Sequence, residues 1–346
     1  MSKRSTRRSF LREQGAAGAA LMVWGASSTR ARETAASTVN VGVIGTGNRA
    51  RQLMDQLPSP GRIIAIADCY EEHLKKTLRE KKKSWATYGD YRQMLDQEKL
   101  DAVIVATTDH GRSLPCIHAC HAGLDVYAEK PLTAYVEEGR EIVKAARQNQ
   151  RVFQVGTQQR TMELNRYCCE VVRNGGIGDL KVVQAVNYSG PTIYEGLPQE
   201  PIPEGDNWDM WCGPAPLRPF NNRLQFGWMR WRAYSGGEMT NWGAHGIDQI
   251  QSALGKSHTG PRELWPVTEG LNGKVSMRYE DGPEVRFELE GGPMGGAIFV
   301  GEKAKIEINR NKYTTNPVDF LKDAPDPAVR EKWEGPGWTA APHLQN

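Results

Sequence analysis

"VNVGVIGTGNRARQLMDQL", residues 39–57, decides the fold. An apolar run enters Gly45-x-Gly47-x-x-Ala50, and an amphipathic segment follows at once. A strand that turns through glycines into a helix opens a βαβ unit. The first glycine permits the tight turn, the second lets backbone approach a phosphate, and the small third residue lets helix and strand pack. The same alternation then repeats: "RIIAIAD" reads as a strand, "EEHLKKTLREKKK" as a charged surface helix, and "AVIVATT" as a strand. "LPCIHACHAG" is a helix closed by a glycine, "DVYAEK" a strand, "YVEEGREIVKAARQNQ" a helix and "RVFQVGTQ" the last strand. Strands alternating with helices require a parallel sheet covered on both faces, so residues 37–158 are predicted to form one doubly wound α/β domain.

Beyond residue 158 the pattern changes. "VVRNGGIGDLKVVQAVNYSG" reads as helix, glycine turn and strand, and residues 191–235 are loop-like and rich in Pro, Trp and Arg. Later come "KVSMRYE", "EVRFELE", "GAIFVG" and "KIEINR", separated by glycine-containing turns, which predicts an antiparallel sheet. Residues 159–346 are therefore expected to form an α+β domain with a largely antiparallel sheet. A chain of 346 residues, 39% of them hydrophobic, suits two such cores. Its net charge is only +3 and its basic residues are spread out, so no nucleic-acid partner is expected. Cys116 and Cys120 sit at i, i+4 with His118 and His121 nearby, but lack the second ligand pair that zinc requires. They read as helical core, and no metal site is predicted.

The first 36 residues differ from the rest. Arg7 and Arg8, followed by "SFL" and a short run rich in Gly and Ala, resemble a twin-arginine export signal too short to span a bilayer. A basic tail is the alternative. Residues 1–36 hold seven Lys/Arg and two Asp/Glu, so without them the charge is +3 minus 5, or −2. The expectation is an exported protein with no membrane segment in its mature form.

Gly45, Gly47, Asn48 and Ala50 are the candidate dinucleotide cradle. Asp68, 23 residues after Gly45 at the end of the second strand, is placed to accept from the ribose hydroxyls and to repel a 2′-phosphate. NAD is thus favoured over NADP, although Arg49 and Arg51 could soften that exclusion. Thr107 and His110 follow the next strand, at the edge where such sheets bind ligands; turn capping would also explain them. "YAEKPLT" puts Glu129 and Lys130 at a strand end before Pro131, which restricts Lys130 to extended backbone and aims it at the crevice.

With the glycine fingerprint, "AEKP" and "GAHGID" (residues 243–248), nearly the whole chain after residue 38 resembles the family of glucose-fructose oxidoreductases, inositol dehydrogenases and their relatives, Gfo/Idh/MocA. The resemblance implies a Rossmann domain, a second domain on a largely antiparallel sheet, a sugar or cyclitol held between them, and a homo-oligomer formed through that sheet. It implies hydride transfer between nicotinamide and a secondary alcohol, with Lys130 at the reacting hydroxyl and His245 as acid or base. Many relatives carry Asp four residues before the histidine, where this sequence has Asn241. At that spacing Asn241 could orient His245 without lending it charge, and Asp248 either substitutes electrostatically or serves structure. Relatives also continue in helical sequence past the equivalent of Asn346.

Five tryptophans (208, 211, 228, 231 and 242) are interleaved with arginines, as in a sugar cleft or a self-packed loop. Trp242 and Arg160, the latter at the domain junction, are the candidate substrate contacts. The Gly236–Gly237 pair allows either close approach to a ligand or a turn. Export without a renewable NAD pool implies tightly bound cofactor and suggests a redox-neutral cycle. A glycosidase that oxidises its sugar transiently is thus an alternative to a dehydrogenase, and a non-catalytic NAD- or sugar-binding protein is a third reading.

Overall fold

The computed structural model describes residues 38–310, 312–321 and 340–345. The predicted export signal lies outside these residues. The first domain runs β1 (Val39–Ile44), α1 (Asn48–Gln56), β2 (Gly61–Ala67), α2 (Glu71–Lys81), β3 (Ala86–Tyr88), α3 (Tyr91–Gln97), β4 (Ala102–Val105), α4 (Ser113–His121), β5 (Asp125–Glu129), α5 (Val136–Gln148) and β6 (Phe153–Gly156). Its sheet is parallel throughout, in the order β3-β2-β1-β4-β5-β6. The order reverses between β1 and β4, which opens a crevice at their carboxyl ends, beside Gly45.

Strand alternation divides the apolar residues between two faces. Val41, Val43, Ile63, Ile66 and Ile104 meet Ala50, Leu53 and Leu74 of α1 and α2. Val103, Val105, Val126 and Ala128 meet Met94, Cys116, Cys120 and Ile142 of α3, α4 and α5. The predicted packing role of Cys116 and Cys120 is what is seen. β3 and α3 were not predicted, because a three-residue edge strand and a helix burying only Met94 are too short to display a period.

The second domain opens with a 3-10 turn (Gln158–Thr161), α6 (Glu163–Arg173) and β7 (Leu180–Val186). Short helices α7 (Trp208–Cys212) and α8 (Asn222–Gln225) lie in the tryptophan-rich loop, and α9 (Glu238–Asn241) leads into α10 (Gly243–Ala253). Strands β8 (Glu263–Pro266), β9 (Val275–Arg278), β10 (Glu284–Leu289), β11 (Ala297–Gly301), β12 (Lys305–Ile308) and β13 (Tyr313–Asn316) follow. The sheet order is β13-β12-β11-β7-β10-β9-β8, with β7 and β10 parallel and the other neighbours antiparallel. The edge strands β8 and β13 were not predicted: one ends in Pro266, the other is the polar "YTTN".

One face of this sheet presents Val183, Val285, Phe287, Phe299, Ile306 and Ile308 to Cys168, Cys169 and Val172 of α6 and to Ile250 and Ala253 of α10. Each large apolar side chain buried there contributes about 1.5–3 kcal/mol. This packing sets the rotation of α10. Its buried side is Gly243, His245, Gly246, Gln249, Ile250 and Ala253, so His245 shares the inward face with Gln249, one turn on. At the other end of the chain, α11 (Ala341–Leu344) packs on the first domain. Ala340 and Leu344 join the α1-side core, and the His343 Nε2–H donates to Val155 O at 2.8 Å.

Candidate active site

A cleft of about 600 Å³ runs along the carboxyl ends of the parallel strands and under the second domain. Its first wall is the glycine loop. Gly45 has φ +80°, and a Cβ there would meet Ala106 O at 2.9 Å. Only glycine accepts both the left-handed backbone and the contact. A Cβ on Gly47 would meet nothing within 4 Å, so the space beside it is open, and α1 starts there with no side chain capping its first N–H groups. This is the cradle a pyrophosphate requires. Ala50 is fully buried against the sheet and Asn48 lines the cleft, accepting from Arg51 Nη2.

Asp68 lines the same end. Burial opposes its charge, yet His73, the Thr46 N–H (2.7 Å) and the Tyr70 N–H (3.0 Å) hold its carboxyl below the usual range. It is therefore a fixed carboxylate at the end of β2, beside the glycine loop. Arg51 is buried and donates to Thr46 O at 2.7 Å, with an ion pair to Glu80 at 2.9 Å, while Arg49 pairs with Glu129 at 2.7 Å. Both arginines flagged from sequence are thus engaged in holding the loop, which leaves the preference for NAD intact.

The second domain reaches this end too, which nothing in the sequence announced. Glu71 N–H donates to Gly205 O at 2.9 Å, Asn207 N–H to Cys69 O at 2.9 Å, and Tyr70 pairs with Asp206 as an antiparallel bridge. Phe226, Trp228 and Met229 line the cleft beyond it. Trp208 and Trp231 are buried with Phe220 and Tyr234 in a separate small core on which Trp211 and Trp228 pack, and Trp211, Trp228 and Trp242 line the cleft.

The loop after β4 joins the domains. Thr107 lines the cleft, its hydroxyl donating to Gly111 O at 3.1 Å. His110 does not line it, which corrects its assignment to the cofactor. Its Nε2 lies 2.9 Å from Trp211 O, its ring packs on Trp211 and Tyr234, and burial pushes its pKa down to about 4. A carbonyl partner requires the proton on Nε2, so His110 is a neutral structural clasp. Beside it, Asp109 is buried and accepts from Ser235 Oγ at 2.8 Å; burial raises its pKa against the pull of Arg112.

At the other end of the cleft, Glu129 accepts from Arg49 and from the Lys130 N–H at 3.2 Å, and the Lys130–Pro131 bond is cis. Lys130 Nζ donates to Asn241 Oδ1 at 2.6 Å and to Asn241 O at 3.1 Å. Asn241 Nδ2 in turn donates to Glu238 Oε2 at 3.0 Å. The expectation that Asn241 orients His245 is thus corrected: it orients Lys130, because its amide faces across the domain boundary and both its polar atoms are occupied. Burial pulls the Lys130 pKa below its ordinary value, against Glu129 and Asp109. His245 is 3% exposed and lines the cleft; burial, then Lys130, Arg310 and Arg49, hold its pKa well below 6.5. It is a neutral imidazole at pH 7.

Asp248 and Arg160 require a second correction. Arg160 Nε donates to both carboxylate oxygens of Asp248, at 2.7 and 2.8 Å, and neither residue lines the cleft. On α10 the inward face is taken by His245 and Gln249, so Asp248 is turned towards the 3-10 turn and fastens it to the helix. Both residues are structural. Gly237, at φ +70°, would place a Cβ 2.7 Å from Pro191 N and so serves close packing of backbone on backbone, whereas a Cβ on Gly236 would meet the Thr240 side chain. Trp242 lines the cleft, with the Arg310 guanidinium 4.8 Å from its ring centroid. Arg310 was missed because nothing in "INRNK" marks a turn residue as reaching a distant site.

Among the buried polar atoms of cleft residues with no hydrogen-bond partner among the described residues are Gln158 Oε1 and His245 Nδ1. Each costs about 1–3 kcal/mol when left so, and a ligand in the cleft would relieve it. With the open cradle at Gly47 and the fixed Asp68, the residues present fit a dinucleotide.

Comparison with known proteins agrees. Residues 39–157 match the Gfo/Idh/MocA profile described as "Oxidoreductase family, NAD-binding Rossmann fold", and residues 185–333 match its "Oxidoreductase family, C-terminal alpha/beta domain". An inositol 2-dehydrogenase/D-chiro-inositol 3-dehydrogenase of Halalkalibacterium halodurans is 32% identical over 127 residues, 36% of each chain. Its counterpart from Lacticaseibacillus casei is 29% identical over 166 residues, 47% of this chain and 48% of the relative. The chain thus spans less than half the length of these curated relatives. Among solved structures, the WlbA dehydrogenase of Bordetella pertussis in complex with NADH and UDP-GlcNAcA is similar at TM-score 0.58 and 19% identity, over 78% of this chain and 77% of that one. An oxidoreductase of Thermotoga maritima is similar at TM-score 0.59 and 17% identity, over 89% and 92%. These last two likenesses establish the fold. With both of its profiles matched in order along the chain, this protein belongs to the Gfo/Idh/MocA oxidoreductase family, and the wall that carries Gly45, Gly47 and Asp68 is that family's NAD-binding Rossmann domain.

Proposed function

We propose that the chain is an NAD-dependent oxidoreductase moving hydride to or from a secondary alcohol carbon of a sugar or cyclitol, with Lys130 and His245 at the reacting hydroxyl. The observation that carries this reading is the contact of Lys130 with Asn241 across the domain boundary, which sets an ammonium and a neutral imidazole in one cleft. Bound NAD supplies the hydride acceptor or donor. Gly45, Gly47, Asn48 and Asp68 would hold it. Lys130, kept in place by two acceptors on Asn241, donates to the substrate oxygen and favours alkoxide character there. His245, neutral because it is buried among cations, accepts the hydroxyl proton; in the reverse direction it returns it.

Mass spectrometry of the cofactor released from purified protein, then a sugar and cyclitol panel followed at the nicotinamide absorbance, tests this. NAD with a substrate-dependent rise in NADH is expected. Absence of any rise, or full turnover by Lys130→Ala, would sink it.

The hydrogen bonds from residues 205–207 to residues 69–71 favour a retained cofactor, and retention favours the redox-neutral alternative. A glycosidase of that kind would release nitrophenol from a nitrophenyl glycoside with no NAD added. The proposal includes export of the folded, loaded protein, on the strength of Arg7 and Arg8. Arg7→Lys with Arg8→Lys should leave the protein in the cytoplasmic fraction. It also includes pairing of copies through the outward sheet face, where Val182, Ile298 and Val300 are half-buried. Light scattering showing a monomer would remove that element.

A further inference from the structure

We infer that Gln158 binds the substrate through a second hydroxyl, one other than the hydroxyl oxidised, and so determines which polyol the cleft accepts. The inference rests on the reading above and deepens it. Gln158 opens the 3-10 turn that follows β6, and the other three side chains of that turn are bonded within the protein. Gln159 is fully buried, and its Oε1 accepts from Asn165 Nδ2 at 3.3 Å and from Gln249 Nε2. Arg160 is fastened to Asp248, and the Thr161 hydroxyl donates to Gln158 O at 2.9 Å. Bonds to α6 and α10 thus fix the backbone that carries Gln158.

Gln158 itself is 3% exposed and lines the cleft, and its Oε1 is buried with no hydrogen-bond partner among the described residues. Gln159 Nε2 is unmet as well, but Gln159 does not line the cleft. Ordering a long polar side chain and leaving its acceptor dry disfavours the folded state twice, through rotamer entropy and through desolvation. A polar group that arrives with the ligand accounts for an amide in that place. Position says which ligand. In the sheet order β3-β2-β1-β4-β5-β6, Asp68 follows β2, Lys130 follows β5 and the turn of Gln158 follows β6. Neighbouring strands lie about 4.8 Å apart, so Gln158 stands four spacings, about 19 Å, across the sheet from Asp68 and one spacing beyond Lys130. On the proposed reading the nicotinamide meets the substrate carbon at Lys130, so a group beyond Lys130 is the substrate's. A neutral amide matches a neutral hydroxyl, which donates and accepts and so satisfies either amide atom. Such a site rejects the analogue lacking that hydroxyl, because its own polar group is then left unpaired.

The test sets one side chain against one hydroxyl. Glucose, galactose, mannose and myo-inositol are assayed with NAD, and the one with the highest kcat/KM is compared with its monodeoxy analogues, in the wild-type chain and in Gln158→Met. One hydroxyl away from the oxidised carbon should be worth tenfold or more in kcat/KM to the wild-type chain and less than threefold to Gln158→Met. On the parent sugar Gln158→Met should lose tenfold or more, with NADH affinity within twofold. Loaded with NADH and free of sugar, the variant should melt at the wild-type temperature or about 2 °C above it, because an unmet acceptor has gone. NADH affinity changed beyond twofold would give the amide to the nicotinamide, and a lowered melting temperature would give it to the fold; either overturns the inference. Turnover with no hydroxyl coupled to Gln158 would sink this inference alone, whereas no sugar bound or oxidised would sink the proposed function with it.

Discussion

At the glycine-loop end of the cleft, Gly45, Thr46, Gly47, Asp68 and Tyr70 lie between positions 45 and 70; at the end proposed to hold the chemistry, Lys130, Asn241, His245 and Arg310 lie between 130 and 310. The first set is positioned by one strand–turn–helix unit and the strand beside it. The second depends on how the domains meet, through Lys130 on Asn241, Asp109 on Ser235 and His110 on Trp211. The difference teaches that the glycine-loop wall is a local product of backbone conformation, while the proposed chemistry depends on docking. Each can therefore be damaged without the other.

The largest effect is expected at the assembled end. Lys130→Ala and His245→Ala should each lower kcat about 10²- to 10⁴-fold, the range of acid–base catalysis, with NADH affinity changed less than about threefold. Stopped-flow NADH titration beside steady-state kinetics checks this, and parallel loss of both would break the distinction between the two ends.

Next comes the docking itself. His110 is buried neutral with a pKa pushed down to about 4, and an unfolded histidine titrates near about 6.5. As pH falls between these values the unfolded chain takes up the proton first. The contribution of His110 to stability is then whole above about 6.5 and lost towards 4, an effect on the order of 3 kcal/mol. Urea denaturation at stepped pH should show this slope, flattened in His110→Asn.

At the local end, Gly47→Val should weaken NADH binding about 30-fold, because the added side chain occupies open cradle that backbone must share with a phosphate. The melting temperature should barely move, since that Cβ meets nothing. A large fall in melting temperature would show that the cradle and the fold are not separable.

A smaller change should follow Asn241→Asp. A carboxylate beside Lys130 stabilises its ammonium, so the alkaline limb of kcat/KM should move up by about one pH unit. An unmoved limb would detach Lys130 from the profile. Smallest is Arg160→Ala, which should cost about 1 kcal/mol through Asp248 and leave kcat/KM unchanged. A tenfold loss in kcat/KM would restore Arg160 to the site.

Legibility in the sequence follows the same division. The glycine loop, Asp68, the strand and helix order apart from β3 and α3, and the position of Lys130 could be read from residues 39–131, because turn chemistry and hydrophobic period act over a few residues. His245 could be named only through resemblance. His110 and Asp248 were misassigned for a shared reason. Their place at a strand end or on a helix face was correct, but a neighbour distant in sequence claimed the side chain: Trp211 for His110 and Arg160 for Asp248.

The sequence by itself determined the parallel sheet, the dinucleotide cradle and the existence of a second, antiparallel core, since each follows from backbone preferences and apolar spacing within short windows. Only the tertiary structure decided that Asn241 holds Lys130, that Arg310 stands over Trp242, and that residues 205–207 reach residues 69–71. The packing of α10 on its sheet and of one domain on the other rotates those side chains into place. No local period encodes a contact made across more than a hundred residues.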